Sequence, residues 1–219
     1  MIRQDLDYSK LRLTIVIAHC NEDISWMRQY INELKVPIRD VTIYTKCNNT
    51  INGYTPPSSK IVNMPNVGRC DHTYANWMAN MDENNFNDDD LILFIKGSRI
   101  SHQKGLSYRN IHDVMRISLI HGFSCELQPS DKSIYYDTTL LKTFWLESHK
   151  GERIRSKYSD MSEFLDTLGI ALPSPITPVC YGGNFVVKAS QIYRKRDVWE
   201  KIAKSLMRGD NIEGKYVHA

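Results

Sequence analysis

Two short runs constrain this chain more than anything else in it: Leu11 to Ala18 (LRLTIVIA) and Leu91 to Ile95 (LILFI). Each is almost continuously apolar and lacks the regular polar alternation of a strand that faces water on one side. Such runs fit strands buried on both faces of a largely parallel sheet. Strands of that kind need helices above and below them. After the first run, Trp26, Met27, Tyr30, Ile31 and Leu34 recur at helical spacing. Asp71 to Met81 and Ile111 to His121 read as further helices, and Asp40 to Lys46 and Lys60 to Met64 as further strands. The expectation is an α/β fold: one Rossmann-like domain with an open mixed, mostly parallel sheet flanked by helices.

The second half is less regular. Ser162 to Leu168 reads as a short helix, Tyr181 to Lys188 as a glycine-led strand, and Val198 to Met207 as an amphipathic helix, while residues 128–160 show no period. A nucleotide-binding half over about residues 1–100 followed by an acceptor half over 101–219 fits this division, since variable loops on a regular scaffold carry specificity. The last residues, Tyr216 to Ala219, carry no stop signal, so a fragment of a longer chain with further domains C-terminal is expected.

Charge narrows the partners. With 28 basic and 25 acidic residues the net charge is +3, too balanced for a nucleic-acid binder, although a local basic cleft remains open to a phosphate-bearing molecule. The apolar run at Leu13 to Ala18 is too short for a membrane span. Five cysteines, scattered and never in a Cys-x-x-Cys pair, argue against a zinc site or a disulfide framework. They point to a reducing, cytoplasmic compartment.

In open α/β sheets ligands bind beyond the carboxyl ends of the strands. The first segment there is His19-Cys20-Asn21-Glu22-Asp23. Its polar groups suit a base or ribose, with Glu22 or Asp23 on a ribose hydroxyl, whereas Asn21 or Asp23 equally suits a helix cap. The second is Pro65 to Asn76 (PNVGRCDHTYAN), where Gly68 ahead of a helix offers free N–H groups to a diphosphate and Arg69 adds a planar cation. A plain turn with Arg69 in solvent is the competing reading. The third, Lys96-Gly97-Ser98-Arg99, sets two cations after a buried strand, or is simply a turn. In the fourth, Tyr181-Gly182-Gly183-Asn184, paired glycines admit a close ligand and Asn184 suits a sugar hydroxyl, although a bulge explains the glycines as well. Asp88-Asp89-Asp90 contains an Asp-x-Asp string but precedes its strand, so it reads as a solvated turn at the end away from the ligand.

Taken together, Ala18 to Trp26, Asn66 to Arg69 with His72-Thr73-Tyr74, and Tyr181 to Val187 resemble the GT-A class of glycosyltransferases. More narrowly, they resemble a fungal and algal-virus family long catalogued as a domain of unknown function. The resemblance spans roughly residues 12–208, most of the chain under a one-domain reading. It implies transfer of a sugar from a nucleotide-sugar donor, UDP-linked, to a hydroxyl on a glycan or glycoprotein acceptor. It places residues 19–23 with Tyr44, Thr45 and Lys46 near the nucleoside, Arg69, Asp71 and His72 near the diphosphate or sugar, and Tyr181 to Asn184 around the sugar and acceptor. It also implies a divalent metal, Mn²⁺ or Mg²⁺. Here, however, Lys96-Gly97-Ser98 stands where the class ends a strand in Asp-x-Asp. Asp71 is then the candidate metal ligand, or Lys96 itself neutralises the leaving diphosphate. Candidate bases are Asp137, Glu147 and His149. The rival reading is a non-catalytic nucleotide- or carbohydrate-binding module of the same fold.

Overall fold

The computed structural model describes residues 7–47, 50–98, 106–129, 135–137, 145–147, 153–155, 158–171, 176–178 and 180–207. For 106–107, 128–129, 135–137, 145–147, 153–155, 176–178 and 181 the description covers the backbone alone. In chain order the elements are β1 (Leu13–His19), α1 (Met27–Leu34), β2 (Ile38–Thr45), β3 (Lys60–Asn63), α2 (Arg69–Ala79), β4 (Leu91–Lys96) and β5 (Leu106–Tyr108). There follow α3 (Ile111–His121), β6 (Phe123–Pro129), β7 (Tyr135–Asp137), β8 (Trp145–Glu147), β9 (Arg153–Arg155) and α4 (Met161–Thr167). The chain closes with β10 (Ile176–Pro178), β11 (Tyr181–Lys188), α5 (Ala189–Tyr193) and α6 (Arg196–Leu206).

Among the described residues one sheet takes the order β3-β2-β1-β4-β11-β6-β5. The pairings from β3 to β4 are parallel, and those from β4 through β11 and β6 to β5 are antiparallel. Only β11 and β5 therefore run against the rest, which makes the sheet mixed and mostly parallel, as expected. The helices divide between its faces because adjacent strand residues point oppositely. Leu13, Ile15 and Ile17 of β1 pack with Leu91, Leu93 and Ile95 of β4 against α1 and α3. Val16, Ala18, Ile92 and Phe94 point the other way, onto α2 and α5. Behind α2, Phe164 and Leu165 of α4 meet Ile202 and Leu206 of α6 in a third cluster. Burying each such side chain contributes about 1.5–3 kcal/mol, so β1 and β4 fix the middle of the sheet.

Two glycines are required by geometry. Gly68 caps α2 at φ +57°, and a Cβ there would stand 2.6 Å from the Cβ of His72 and 2.8 Å from Leu206. Gly182, at φ +76°, sits where the β11–β6 register shifts, and a Cβ would stand 2.4 Å from Leu127. The paired glycines of β11 thus serve the bulge that competed with the ligand reading.

The cysteine reading is overturned. Cys20 is bonded to Cys47, and Cys125 to Cys180, which leaves Cys70 as a thiol outside both disulfides. Sequence spacing hid both bonds because the partners are 27 and 55 residues apart. The fold brings them together: β1 and β2 end side by side with His19 opposite Thr45, and β6 and β11 are hydrogen-bonded neighbours. The cysteines therefore give no support to a reducing compartment. Separately, no helix among the described residues is long and apolar enough to cross a membrane.

Closing loops of that size restricts the unfolded chain by about 3.5 and 4 kcal/mol in the chain-entropy account. Thiol titration of the denatured, unreduced protein should find one free thiol, and five after reduction. Dithiothreitol should lower the melting temperature by several degrees. Five thiols without reductant would contradict the pairing.

Candidate functional site

β1, β2 and β4 run parallel and end together, and the segments beyond them enclose a cavity of about 190 Å³. His19, Cys20 and Glu22 line it from the β1 loop, Lys46 from β2, Asn66, Arg69 and Cys70 from the approach to α2, and Lys96 and Ser98 from β4. Among the described residues three cations from three separate elements converge there, against a single carboxylate. That volume is below the roughly 300 Å³ at which small-molecule sites begin, so it suits a small anionic group rather than a large ligand.

Each wall is held by a specific bond. The carboxylate of Glu22 accepts the Cys20 N–H at 2.7 Å and lies close over Gly97, where a Cβ would be 3.1 Å from Oε2. Gly97 donates its own N–H to Ala18 O at 2.9 Å and accepts the Trp26 indole N–H at 3.0 Å. His19 is buried, and its Nε2 faces Glu22 O at 3.0 Å. A carbonyl only accepts, so Nε2 carries a proton, and in a neutral imidazole Nδ1 is then an acceptor. That Nδ1 has no hydrogen-bond partner among the described residues. Since buried polar atoms are nearly always satisfied, this acceptor is available to a ligand hydroxyl or N–H.

Lys46 is buried and its ammonium donates to the carbonyls of Val67 and Arg69. Burial pulls its pKa down to about 8, against the pull of Cys70 and Asp71 in the other direction. This clamp bends the chain into two successive left-handed residues, Gly68 and Arg69 (φ +53°). A left-handed arginine costs roughly 1–2 kcal/mol that a glycine would not, and strained residues of this kind concentrate at functional positions. Arg69 itself is exposed and begins α2, whose first N–H groups and dipole favour an anion.

Other candidates fall elsewhere. Tyr44 points onto the α2 face and lines a different cavity with Trp77 and Phe86, and Thr45 is buried in the sheet. Strand alternation puts them inside the layer, so only Lys46 emerges at the strand end. Asp23 accepts hydrogen bonds from the N–H and hydroxyl of Ser25 in the turn ahead of α1, whose N-cap is Trp26 with no side-chain bond, so Asp23 does not cap the helix; Asn21 is exposed and does not line the cavity. Asn184 is fully buried. Its Oδ1 accepts the Lys96 N–H at 3.0 Å and its amide donates to Glu126 at 3.0 Å, so it positions the end of β4 rather than meeting a sugar. Glu126, also held by the Tyr30 hydroxyl at 3.2 Å, went unnoticed in the sequence. The alternation Phe123, Cys125, Leu127 was the signal for its strand.

His72 is buried under Gly68 and does not line the cavity. Asp71 is buried facing a second cavity along with Gly183. Asp88, Asp89 and Asp90 lie at the amino end of β4, where they pair with Arg194, Lys188, and Arg12 with Arg39 respectively. Asp137 and Glu147 lie in β7 and β8, described in backbone only, as is Tyr181. His149 and Arg99 lie outside the described residues. No three of the described His, Cys, Asp and Glu residues gather as a metal site. The strand-end cavity, with Lys46, Arg69 and Lys96 on its walls, is the donor set for an anion and does not fit a divalent cation.

No family model matches the chain, and no curated protein matches it. Among solved structures it is similar to 2-C-methyl-D-erythritol 4-phosphate cytidylyltransferase from Francisella tularensis, at 10% identity. That match covers 93% of this chain and 84% of the other, with a TM-score of 0.41.

Both ring nitrogens of His72 lack hydrogen-bond partners among the described residues, and burial, helped by Lys46, lowers its pKa to about 4. The unfolded chain takes up a proton near pH 6.5 that the folded chain refuses until about pH 4. Stability held above pH 6.5 is therefore lost as the pH falls to 4, by about 3 kcal/mol. In urea unfolding measured across that window, His72→Gln should remove this slope. An unchanged slope would show that His72 is not the titrating group.

Proposed function

We propose that the chain is a nucleotide-sugar-dependent glycosyltransferase of the GT-A type whose donor diphosphate sits at the carboxyl ends of β1, β2 and β4. The observation that carries this is the convergence of Lys46, Arg69 and Lys96 with the start of α2 on one cavity. Charge builds on the leaving diphosphate as the anomeric bond breaks, and fixed cations in a partly dry cleft stabilise that charge directly. Arg69 offers two parallel hydrogen bonds, and Lys96 a point charge from the opposite wall. Lys46 mainly holds the turn that presents the α2 amides. The nucleoside extends toward His19 and Glu22, with the free Nδ1 of His19 accepting from a ribose hydroxyl or the base.

The choice of uridine rests on the resemblance of the motifs. A divalent metal, also implied by it, finds no carboxylate set among the described residues of this cavity. The reading as a non-catalytic nucleotide-binding module draws on the same cations, and released nucleoside diphosphate separates the two. Two disulfides persist best in an oxidising compartment, and we place the protein there rather than in the cytoplasm.

A panel of nucleotide-sugars, assayed with and without Mn²⁺, should yield free nucleoside diphosphate, and UDP should raise the melting temperature by binding the folded state. Arg69→Gly relieves the left-handed strain, so it should keep or raise the melting temperature. The same change should weaken UDP binding about tenfold or more, as expected for a lost charged hydrogen bond. Lys96→Ala should act in the same direction. Wild-type UDP affinity in both variants would remove the diphosphate from this cavity.

A further inference from the structure

A second cavity, of about 330 Å³, runs beneath α2 between that helix and β11. Its middle is apolar: Tyr74 and Met78 of α2, Phe123 of β6, Phe185 and Val187 of β11, and Trp199 of α6. Phe123, Phe185 and Trp199 are only partly buried although they pack against the core, because the space between them is not filled by protein. One end opens at His121 and Gln191, both exposed. The other is closed by Asp71 and Gly183, both buried.

The closed end is polar and incompletely satisfied. Asp71 is 3% exposed and Tyr74 2%. The Tyr74 hydroxyl has no hydrogen-bond partner among the described residues, and leaving such a group unpaired in a dry interior is unfavourable. Burial holds the phenol well above its usual pKa, so it remains a donor. A carboxylate that accepts and a phenol that donates, one helical turn apart, together match a hydroxyl, which does both.

This end also abuts the diphosphate cavity along two walls. Cys70 lines that cavity and Asp71, the next residue, lines this one. On the sheet side Gly183 lines this cavity, and its neighbour Asn184 accepts the N–H of Lys96, which lines the other.

We propose that the cavity under α2 binds an alcohol with an apolar body, its hydroxyl seated between Asp71 and Tyr74, and that it is the acceptor subsite of the transferase. The acceptor role, though not the binding, rests on the function proposed above. The volume admits roughly ten non-hydrogen atoms at about 30 Å³ each. In the transfer, the hydroxyl oxygen bonds to the anomeric carbon as that carbon's bond to the diphosphate breaks. The electron pair leaves on the nucleoside diphosphate and the hydroxyl proton passes to Asp71. This acceptor class departs from the glycan implied by the motifs, because the hydroxyls of a sugar chain would face Met78, Phe185 and Val187 unsatisfied.

The test uses the full chain without nucleotide and the linear 1-alkanols from butanol to dodecanol, by calorimetric titration. Binding should be one to one, tighten about fourfold per added CH₂, and level off once the cavity is full. Tyr74→Phe should weaken 1-octanol about fivefold, and Met78→Trp should abolish binding by filling the space. If Met78→Trp fails to fold, the chain-length series and Tyr74→Phe decide alone. Absence of saturable binding, no dependence on chain length, or an unchanged Tyr74→Phe would each overturn the site. So would binding of methyl glucoside in place of the alkanols. Alkanol binding without nucleotide-sugar turnover would leave the site standing and sink the transferase reading. Turnover onto sugars without alkanol binding would do the reverse.

Discussion

The strand-end cavity depends on two strands whose middles are apolar on both faces. Ile15, Val16 and Ile17 in β1 and Ile92 to Ile95 in β4 are 0% exposed. They are paired in parallel with Leu13 opposite Leu91, so their ends coincide. A backbone sealed on both sides meets water only where it leaves the sheet. The loops beyond His19, Thr45 and Lys96 are thus forced into one row, and the side chains there share one cavity. Binding chemistry at this edge follows from the hydrophobic pattern of the middle.

That edge is kept in shape by polar groups that are themselves largely buried. Asn184 spans from the Lys96 amide to Glu126, and Glu126 takes the hydroxyl of Tyr30. Lys46 closes the turn ahead of α2 through two carbonyls. Burying such groups is costly unless every bond is made, so a stack of aliphatic residues would be the cheaper way to fill the space. Polar side chains fix direction where aliphatic ones do not. The Lys96 amide and the α2 start are therefore aimed, rather than merely packed.

The fold was legible because hydrophobic period reports secondary structure directly. Ile111 to His121 and Tyr181 to Lys188 fall where the pattern put them, and α2 begins two residues earlier than read, since Gly68 and not Asp71 ends the turn. The site was half legible. His19, Glu22, Arg69, Lys96 and Ser98 do converge, because strand-end position is a property of the local sequence. Tyr44, His72 and Asn184 do not meet that cavity, because facing is decided by neighbours distant in the chain. Glu126 and the two disulfides were invisible for the same reason: each depends on which strands lie side by side, and β11 crossing between β4 and β6 is not written in any local pattern.

The position of Cys20–Cys47 carries a further consequence for the site. The segments it joins follow β1 and β2 at the rim, where Asn21 and Asp23 are exposed and Ile24, buried in the core, is the next apolar anchor along the β1 loop. A site that grips a charged, flexible ligand loses affinity for every rotamer it must freeze on binding. Hydrophobic packing cannot rigidify a rim that must stay wet, and hydrogen bonds there compete with water. A covalent bond does not. Cys20 lines the cavity and Cys47 follows Lys46 directly. The same bond therefore ties the loop after β1 to the neighbour of the residue that clamps the α2 turn, linking two walls of the strand-end cavity.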